Sequence, residues 1–565
     1  MDISRTSDES FLPKYYLNGT DQVTNAKVGR GVGQRDYWVF ENYLSYNDKF
    51  GDHTVSTMVG TSAEKERYET VNASKEGLVN NDANQQIINA ATKNPAASGS
   101  VSYHTMNSYF GRVFYSYADK YMITANIRWD GSSNFADKHR WGVFPSVSGG
   151  WNFREESFIK DVVGDWFSQG KFRAAWGEIG NQNISSGAYL TRYGNSTYYL
   201  LGNSMTPWLS GGRTNVGNPD LRWETTRQLD FGLDLAFFNS ALKFNIDYFD
   251  RKTSDMLVQV PMPAAIGLPN TPWSNAGSVK NRGFEFVLDY HGKIGNDFSY
   301  NFAGNISTYK NKVLSLGGGT NIPGKTHLGN QVNTMIEPGK PIGYFYGYKM
   351  DGVFQTQEEI NNYRGGPDNT IIMPTAEPGD LKFVDLNGDG KLGEEDRTMI
   401  GNPHPDFTFG LTLSGEYKGF DLSMFFQGSV GNDILNILKY DIYSGTGWYN
   451  APKDIFDKFW TGPGSTNENF AISANSRDNL TMSEWYIENG SYVRLKNVTL
   501  GYTFPKQWVQ KLTVQNLRLF VAAQNLFTIT SYSGLDPELG NSNPAFMGID
   551  IVSYTHLRAH ETKAN

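Results

Sequence analysis

A twelve-residue segment in the C-terminal half of the chain carries oxygen-bearing side chains at the spacing of a calcium-binding loop. Asp385, Asn387 and Asp389 stand at its first, third and fifth positions. The carbonyl of Lys391 would supply the seventh position and Asp396 the twelfth. A hard cation needs several converging oxygens, and this spacing supplies them. We therefore predict a bound Ca²⁺ that stiffens a long loop and takes no part in catalysis.

The segment departs from the usual calcium-loop pattern at its end and at its flanks. Position twelve is Asp396 where Glu is usual, so the shorter side chain would bind through a single oxygen or through a water. The flanking residues read as loop or strand, not as two helices. Gly390, at the sixth position, permits the sharp turn. A turn rich in Asp, Asn and Gly that binds no metal stays open as the alternative.

The elements that position this loop are strands with one apolar and one polar face. Between residues 229 and 237, and again between 242 and 248, apolar residues alternate with polar or small ones. Successive side chains of a strand point to opposite faces. Alternation over about 9–11 residues per strand matches a tilted strand that crosses a bilayer. We predict that lipid contacts one face and water the other.

The same alternation recurs along the chain and predicts roughly 14 antiparallel strands. The predicted strands lie near 36–46, 52–60, 106–118, 120–130, 142–153, 169–178, 229–237, 242–248, 284–290, 298–307, 407–414, 420–426, 492–504 and 515–527. So many strands favour closure into a barrel, because closure alone removes the sheet edges. The long loops are predicted at 61–105, 180–220, 252–280, 310–404 and 430–490.

Composition supports a membrane β-protein. The 32 Tyr and 13 Trp residues suit aromatic girdles at two membrane–water interfaces. No apolar run reaches the roughly 18 residues of a membrane-spanning helix. The absence of cysteine excludes disulfides and thiolate metal sites, and a net charge of −8 argues against nucleic acid as a partner. A soluble β-sandwich with an aromatic core stays open as an alternative.

Enzyme signatures are poor, and we predict no catalytic residue. The chain has no His-Glu-x-x-His run, and no Gly-x-Ser-x-Gly turn is followed by a plausible helix. Gly29, Gly31 and Gly33 form an incomplete phosphate-type pattern that does not lie between a strand and a helix. Adjacent carboxylates such as Glu155 and Glu156 are typical of solvated loops.

Several segments together resemble signature segments of the SusC-type TonB-dependent outer-membrane transporters, the RagA/SusC family. They are Arg128–Phe135, Trp141–Ser148, Asn218–Thr225, Pro378–Asp385, Ser491–Tyr502 and Asn525–Phe527. The matches extend from about residue 36 to 550 and so cover nearly the whole chain. The resemblance implies an all-β transmembrane barrel of about 22 strands, of which this chain would supply about 14–16. It also implies long extracellular loops and an N-terminal plug.

The resemblance further implies partners and cargo. A SusD-like surface lipoprotein would act as a lid, and the TonB–ExbB–ExbD complex would supply energy through the plug. Typical cargo is oligosaccharide, sometimes peptide. We expect residues 1–552 to be the C-terminal part of the barrel, without the plug domain or signal peptide. Residues 553–565 abandon the strand pattern, and we expect them to be an artefactual tail.

The sequence is thus interpreted as the barrel part of an importer in the outer membrane of a Gram-negative, Bacteroidota-like bacterium, surrounded by outer-membrane lipid. It would supply binding and a path, with no bond chemistry. One alternative is a cell-surface glycan-binding or adhesive β-protein without transport. Another is a secreted β-sandwich lyase or hydrolase, which would need a carboxylate or Tyr/Arg constellation that we do not find.

Overall fold

The computed structural model describes most of the chain. The described residues are 1–19, 22–201, 206–259, 271–317, 321–325, 331–443, 451–472, 478–509, 514–541 and 543–550. The predicted artefactual tail, 553–565, lies outside them. Among the described residues, no helix combines the length and apolar character needed to cross a bilayer.

Fifteen strands are hydrogen-bonded neighbours in one sheet, and apart from shorter elements their order in the sheet is their order along the chain. They are β1 (Asp2–Leu12), β2 (Lys27–Phe50), β3 (His53–Glu76), β4 (Lys93–Tyr117), β5 (Tyr121–Ser132), β6 (Trp141–Trp151), β7 (Phe167–Asn181), β8 (Glu224–Phe237), β9 (Leu242–Ser254), β10 (Ser278–Ile294), β11 (Phe298–Ser315), β12 (Phe407–Tyr417), β13 (Phe420–Val430), β14 (Tyr492–Thr503) and β15 (Arg518–Thr530). Neighbours within β1–β5 and within β9–β15 pair antiparallel.

Shorter elements lie in the connections. The short strands are Tyr15–Tyr16, Gln22–Val23, Arg192–Leu201, Thr206–Asn215, Leu257–Gln259, Trp273–Asn275, Ile322–Lys325, Val332–Ile336, Tyr344–Tyr348, Met350–Val353, Arg364–Gly365, Thr370–Ile371, Leu381–Phe383, Arg397–Gly401, Asp433–Asn436, Ile487–Asn489 and Ile549–Asp550. The α-helices are α1 (Ser157–Val163), α2 (Gln357–Asn362), α3 (Leu438–Tyr443), α4 (Ile455–Lys458) and α5 (Lys506–Val509). The 3₁₀ turns are Ala83–Gln85, Ile88–Ala90, Asp137–His139, Phe153–Glu155, Glu394–Asp396, Asp478–Leu480, Glu484–Tyr486 and Pro544–Phe546.

The predicted all-β fold is confirmed, and every predicted strand is present in the sheet. The sequence did not predict β1, which pairs with β2 from Asp2 opposite Tyr37 to Leu12 opposite Lys27. Its residues alternate no apolar face, and nearly all of them are exposed. Backbone hydrogen bonds to β2 therefore position this strand, although its side-chain pattern does not predict it.

The prediction of a long loop at 61–105 is wrong, because β3 and β4 occupy most of that segment. The prediction relied on alternating apolar residues, whereas β2 and β3 carry charged side chains here. Arg35 Nε donates to Glu66 Oε2 at 2.9 Å, and Arg67 Nη1 lies 3.4 Å from Asp36 Oδ2. Cross-strand pairs of opposite charge stabilise a sheet without apolar periodicity, which is why the periodicity missed it.

The chain divides into two compact units. The first consists of Met1–Gly149, Trp176–Arg227 and Asp255–Ala276, and the second of Gly150–Ala175, Gln228–Ser254 and Gly277–Asn565. In the first unit, one row across β2–β5 is apolar or glycine: Leu44, Val59, Gly111 and Ile127. Leu44 is 74% exposed and Ile127 53%. A row on the opposite face is polar: Glu41, Ser62, Ser108 and Asp130.

The second unit repeats this two-faced arrangement across β9–β12. One row is apolar: Ile246, Phe286, Ile306 and Phe409. The next row along the strands lies on the opposite face and is polar: Asp247, Glu285, Ser307 and Thr408. Because neighbouring residues of a strand point to opposite sides, the register keeps the two chemistries on separate faces over four strands.

The largest buried core of the second unit lies in segments that the sequence predicted as long loops. Its completely buried side chains include Phe345, Phe354, Leu381, Leu435 and Met482. They come from 310–404 and 430–490, and the described parts of these two segments therefore fold together around one apolar cluster. We call this cluster the loop core. A folded core makes a long insertion rigid enough to present a defined surface.

The apolar face generates a first prediction. Phe244 lies on it, whereas the adjacent Asn245 lies on the polar face and donates to Asp234 Oδ1 at 2.6 Å. If hydrocarbon covers the apolar face, Phe244→Lys should cost about 2–4 kcal/mol near the bilayer midplane. The fraction of the chain that assembles in the membrane, measured as the band with heat-modifiable gel mobility, should then fall for this variant. Asn245→Lys is the matched control and should assemble, so equal assembly of both variants would contradict a lipid-facing side.

Candidate functional site

A charged cluster on the polar strand face of the second unit joins three strands. Arg173 of β7 donates from Nε and Nη2 to the two carboxylate oxygens of Asp234 in β8, both at 2.8 Å. Its Nη2 also lies 2.9 Å from Asp247 Oδ1 in β9. Such forked bonds between guanidinium and carboxylate are directional and strong. The cluster therefore holds one cation and two anions in fixed positions.

Gly232 provides the space for this cluster. A Cβ atom at that position would lie 2.6 Å from Arg173 Cζ and would also overlap the Asp247 carboxylate. The glycine stands between two apolar residues of β8 and shares its face with Asp234. Its missing side chain thus leaves room for the guanidinium beside the two carboxylates.

The sequence placed part of this cluster correctly. Alternation puts Asp234 and Asp247 on the polar face, where the structure has them. Arg173 is 61 residues from Asp234, and nothing in the local pattern of β7 pairs the two. Only the strand order could have found that partner.

Further polar contacts lie on the strands of the sheet, each within one unit. In the second unit they include Arg251 Nε to Gln228 Oε1 at 2.9 Å, Lys280 Nζ to Asp250 Oδ2 at 2.7 Å and Asn311 Nδ2 to Asn281 Oδ1 at 2.7 Å. In the first unit they include Arg128 Nε to Asp130 Oδ1 at 2.7 Å and Arg227 Nη2 to Glu178 Oε1 at 2.6 Å. Three of the five are ion pairs. Arg128–Asp130 lies on the polar face of its unit, whereas the register puts Lys280–Asp250 and Arg227–Glu178 on the same side of the strands as the apolar rows.

The segment that follows β15 is tied to the sheet by charge. Arg494 of β14 donates to Asp536 Oδ1 at 2.6 Å and to Glu538 Oε2 at 2.7 Å, and Lys496 Nζ lies 2.8 Å from Glu538 Oε2. Burial is the largest single effect on Asp536 and would raise its pKa. The hydrogen bonds from Arg494 and from the Glu538 backbone nitrogen, together with the charges of Arg494 and Lys496, outweigh burial and hold that pKa below its ordinary value. The signature segment Ser491–Tyr502 therefore supplies the cations that fasten this loop.

Three other signature segments meet in a small core of the first unit. Phe135 and Leu221 are completely buried there, together with Trp223. The ring of Trp223 lies 5.3 Å from those of Phe135 and Phe144, and its Nε1 donates to the Arg140 carbonyl at 2.9 Å. These residues therefore hold loops together through packing, and the structure gives them a positioning role.

The predicted calcium loop is a tight turn whose side chains accept backbone hydrogen bonds. Asp385 Oδ1 accepts from Gly388 N at 2.7 Å, and its Oδ2 accepts from Gly390 N at 2.9 Å. Asn387 Oδ1 accepts from Asp389 N at 2.8 Å, and Asp389 Oδ1 accepts from Lys391 N at 2.9 Å. Bonds of this kind shape Asx turns whether or not a metal is present.

Asp396 closes the loop from inside. Its side chain is completely buried, and its two oxygens accept from the backbone nitrogens of Leu386, Asn387 and Gly393 at 2.7–3.2 Å. Gly390 has φ +84°, the left-handed conformation that its predicted turn requires. The residue at the twelfth position therefore stabilises the backbone of its own loop through hydrogen bonds.

The fit of this loop to a cation is partial. Each carboxylate oxygen has a second lone pair that a cation could use. Within the described ranges, however, no three Asp, Glu, His or Cys side chains converge as a metal ion would require. Calcium binding by Asp385, Asn387, Asp389, Lys391 and Asp396 stays a prediction.

Comparison with known proteins decides the family. The model of the family described as TonB dependent receptor-like, beta-barrel matches residues 3–526. The chain belongs to this family. It is an outer-membrane family of receptors and transporters, so the predicted outer-membrane location is confirmed and an enzyme is excluded.

Individual relatives agree with the family assignment. The chain is 34% identical to TonB-dependent receptor P3 of Formosa agariphila over 96% of its own length and 54% of that protein. It is 30% identical to TonB-dependent receptor SusC of Bacteroides thetaiotaomicron over 91% of its own length and 48% of SusC. The chain thus spans about half the length of the curated relatives it matches.

A solved structure confirms the fold. The structure of the RagAB peptide transporter superposes with a TM-score of 0.80, covering 97% of this chain and 57% of that chain. Sequence identity is 22%, so the likeness concerns the fold alone. The fifteen-stranded sheet is accordingly part of a TonB-dependent receptor barrel, as the sequence resemblance implied.

The charged cluster generates a second prediction. Gly232→Ala should push the Arg173 guanidinium away from its two carboxylates and cost about 1–3 kcal/mol, the range for overpacked sites. Gly111→Ala is the control, because a Cβ atom there meets nothing closer than 3.7 Å. Thermal unfolding in detergent should show a lower midpoint for Gly232→Ala only. Equal midpoints would mean that the glycine has no such role.

The calcium loop generates a third prediction. If the loop binds Ca²⁺, Asp389→Ala should weaken binding measured by calorimetry by roughly tenfold or more, a loss of about 1.4 kcal/mol. Asp368→Ala, which removes an exposed charge from the neighbouring turn, should leave the binding unchanged. A calcium response that is the same in the parent and in Asp389→Ala would show that the loop is not a calcium site.

Proposed function

We propose that this chain is the barrel part of a TonB-dependent importer of the SusC/RagA type. The observation that carries the proposal is that the strands of each unit have one apolar face and one polar face, and that the polar face carries paired charges such as Arg173 with Asp234. Such a face suits the wet interior of a barrel, while the apolar side suits lipid. The family, together with relatives named SusC and RagAB, makes import the function that best uses this arrangement.

The cargo we propose is an oligosaccharide or a peptide. On the polar face of the second unit, Arg173 pairs with Asp234 and Asp247, which leaves that cluster with one excess negative charge, and in the first unit Arg128 pairs with Asp130. Charges that are already paired offer hydrogen bonds without a strong net field. A neutral, hydroxyl-rich or amide-rich molecule would therefore pass along this face more readily than a highly charged one.

We propose that the folded loops of the second unit support a SusD-like surface lipoprotein. The loop core joins the described parts of segments 310–404 and 430–490 through shared apolar contacts, for example between Phe459 and Trp485, whose rings lie 6.3 Å apart. A lid that opens and closes needs a rigid seat, and a loop with its own core provides one. TonB–ExbB–ExbD would supply energy through a plug that precedes the barrel in such receptors.

Uptake by living cells provides the fourth prediction. Deleting the gene in its host should abolish uptake of one class of labelled oligosaccharides or peptides, and the gene in trans should restore it. Uptake should also stop when the proton gradient is collapsed, since TonB-dependent transport is energised across the inner membrane. Binding of the labelled cargo to the cell surface should persist under that treatment.

The same assay separates import from the adhesive alternative. If deletion removes surface binding while uptake of every tested cargo continues, the chain is a surface-binding β-protein and import is refuted. Deletion of an unrelated outer-membrane porin gene serves as the control for general permeability. Growth on the corresponding cargo as the sole carbon source gives an independent measure of the same loss.

A further inference from the structure

A hollow interrupts the apolar face of the second unit. The register aligns one row across five strands, and its members are Phe244, Leu288, Gly304, Leu411 and Phe426. Four of the five side chains are large and apolar, and the middle one is absent. The rows on either side bring further large side chains against the gap, including Ile306 and Phe302. The face therefore has a pit with apolar walls at Gly304.

The hollow has a volume of about 430 Å³. Its walls include Phe286, Phe302 and Phe409 together with the leucines on either side of Gly304. Asn305 is the one lining residue with a polar side chain, and it follows Gly304 in the strand, so its side chain belongs to the opposite face. A ligand in the hollow would meet hydrocarbon almost exclusively.

The backbone does not require a glycine at this position. A Cβ atom at Gly304 would meet only Phe302 Cε1 at 3.5 Å and atoms farther away, which is ordinary van der Waals contact. Gly304 is also absent from the glycines with positive φ. Gly in a strand interior weakens the strand and often marks close approach by a ligand. The missing side chain is thus a cost to the sheet that leaves room for something else.

A second apolar hollow lies farther along the same strands. It has a volume of about 300 Å³ and is lined by Phe298, Leu413, Tyr417 and Phe420 among others, next to the turn that joins β12 and β13. Leu413 follows Leu411 on the same face of β12, so both hollows lie along one line of that strand. An extended hydrocarbon chain is the ligand whose shape matches two hollows in a line.

We propose that the Gly304 hollow binds an acyl chain of a membrane phospholipid. Three observations carry this: the missing side chain at Gly304, the apolar walls, and the continuity of the hollow with the lipid-facing side of an outer-membrane barrel. A chain seated there gains dispersion contacts on several sides, which a flat apolar face does not offer. The site would retain one lipid more tightly than its neighbours, independently of any transported cargo.

Lipid retention tests the proposal. Full-length protein extracted from outer membranes in mild detergent is titrated with dipalmitoyl phosphatidylethanolamine, and native mass spectrometry counts the bound lipids. Gly304→Leu fills the hollow and should weaken the tightest binding roughly tenfold, the change expected when about two methylenes lose their site. Gly304→Ala should produce a smaller change in the same direction. Heat-modifiable gel mobility confirms that each variant is folded.

Gly111→Leu is the matched control. Gly111 lies on the apolar face of the first unit, and a Cβ atom there meets nothing closer than 3.7 Å. This variant should bind the lipid as the parent does. The proposal is overturned if Gly304→Leu retains the tight lipid or if both variants lose it equally. It is also overturned if Gly304→Leu releases an acylated partner protein instead of a phospholipid. The same holds if Gly304→Leu changes the oligomeric state and leaves lipid binding intact.

Discussion

The structure depends on one constraint: neighbouring strands must pair through backbone hydrogen bonds in a sheet that contacts hydrocarbon on one face and water on the other. A backbone N–H or C=O group has no water to bond with inside a bilayer, so each must find a partner in a neighbouring strand. The ladder of fifteen strands meets that demand, and the pleat then sends successive side chains to opposite faces. The rows through Ile246 and Asp247 show the result, with apolar and polar chemistry separated by one residue.

The two faces are built by different means. The polar face is organised by specific partners, and small residues make room for them, as Gly232 does for Arg173. The apolar face has no partner to specify, so bulk and shape define it, and Gly304 is conspicuous there because its neighbours are large. Once the register is known, the structural role of a glycine on either face can be inferred from the side chains around it. The signature segments act similarly: Trp223 packs loops together, and Arg494 fastens the segment after β15.

Sequence reasoning succeeded where side-chain chemistry has a period and failed where it does not. All strands with apolar alternation were found, because membrane contact imposes that pattern locally. β1 and the outer parts of β3 and β4 were missed, because their side chains show no apolar period. Charged pairs such as Arg35–Glu66 join β2 to β3 there. The loop core was missed for a related reason. Its aromatic residues are scattered through segments rich in Gly and Asn, and only the folded chain gathers them.

The sequence by itself determined the two-faced strands, their approximate limits, the outer-membrane setting and the acidic turn at 385–396, because each depends on residues close together in the chain. Tertiary structure alone decided which distant residues meet: Arg173 with Asp234, Asp536 with Arg494, and the five-strand row around Gly304. It also decided that the Asp396 carboxylate accepts hydrogen bonds from the backbone of its own loop. The physical reason is that strand register and loop packing are set by contacts across tens of residues, and local pattern carries no record of them.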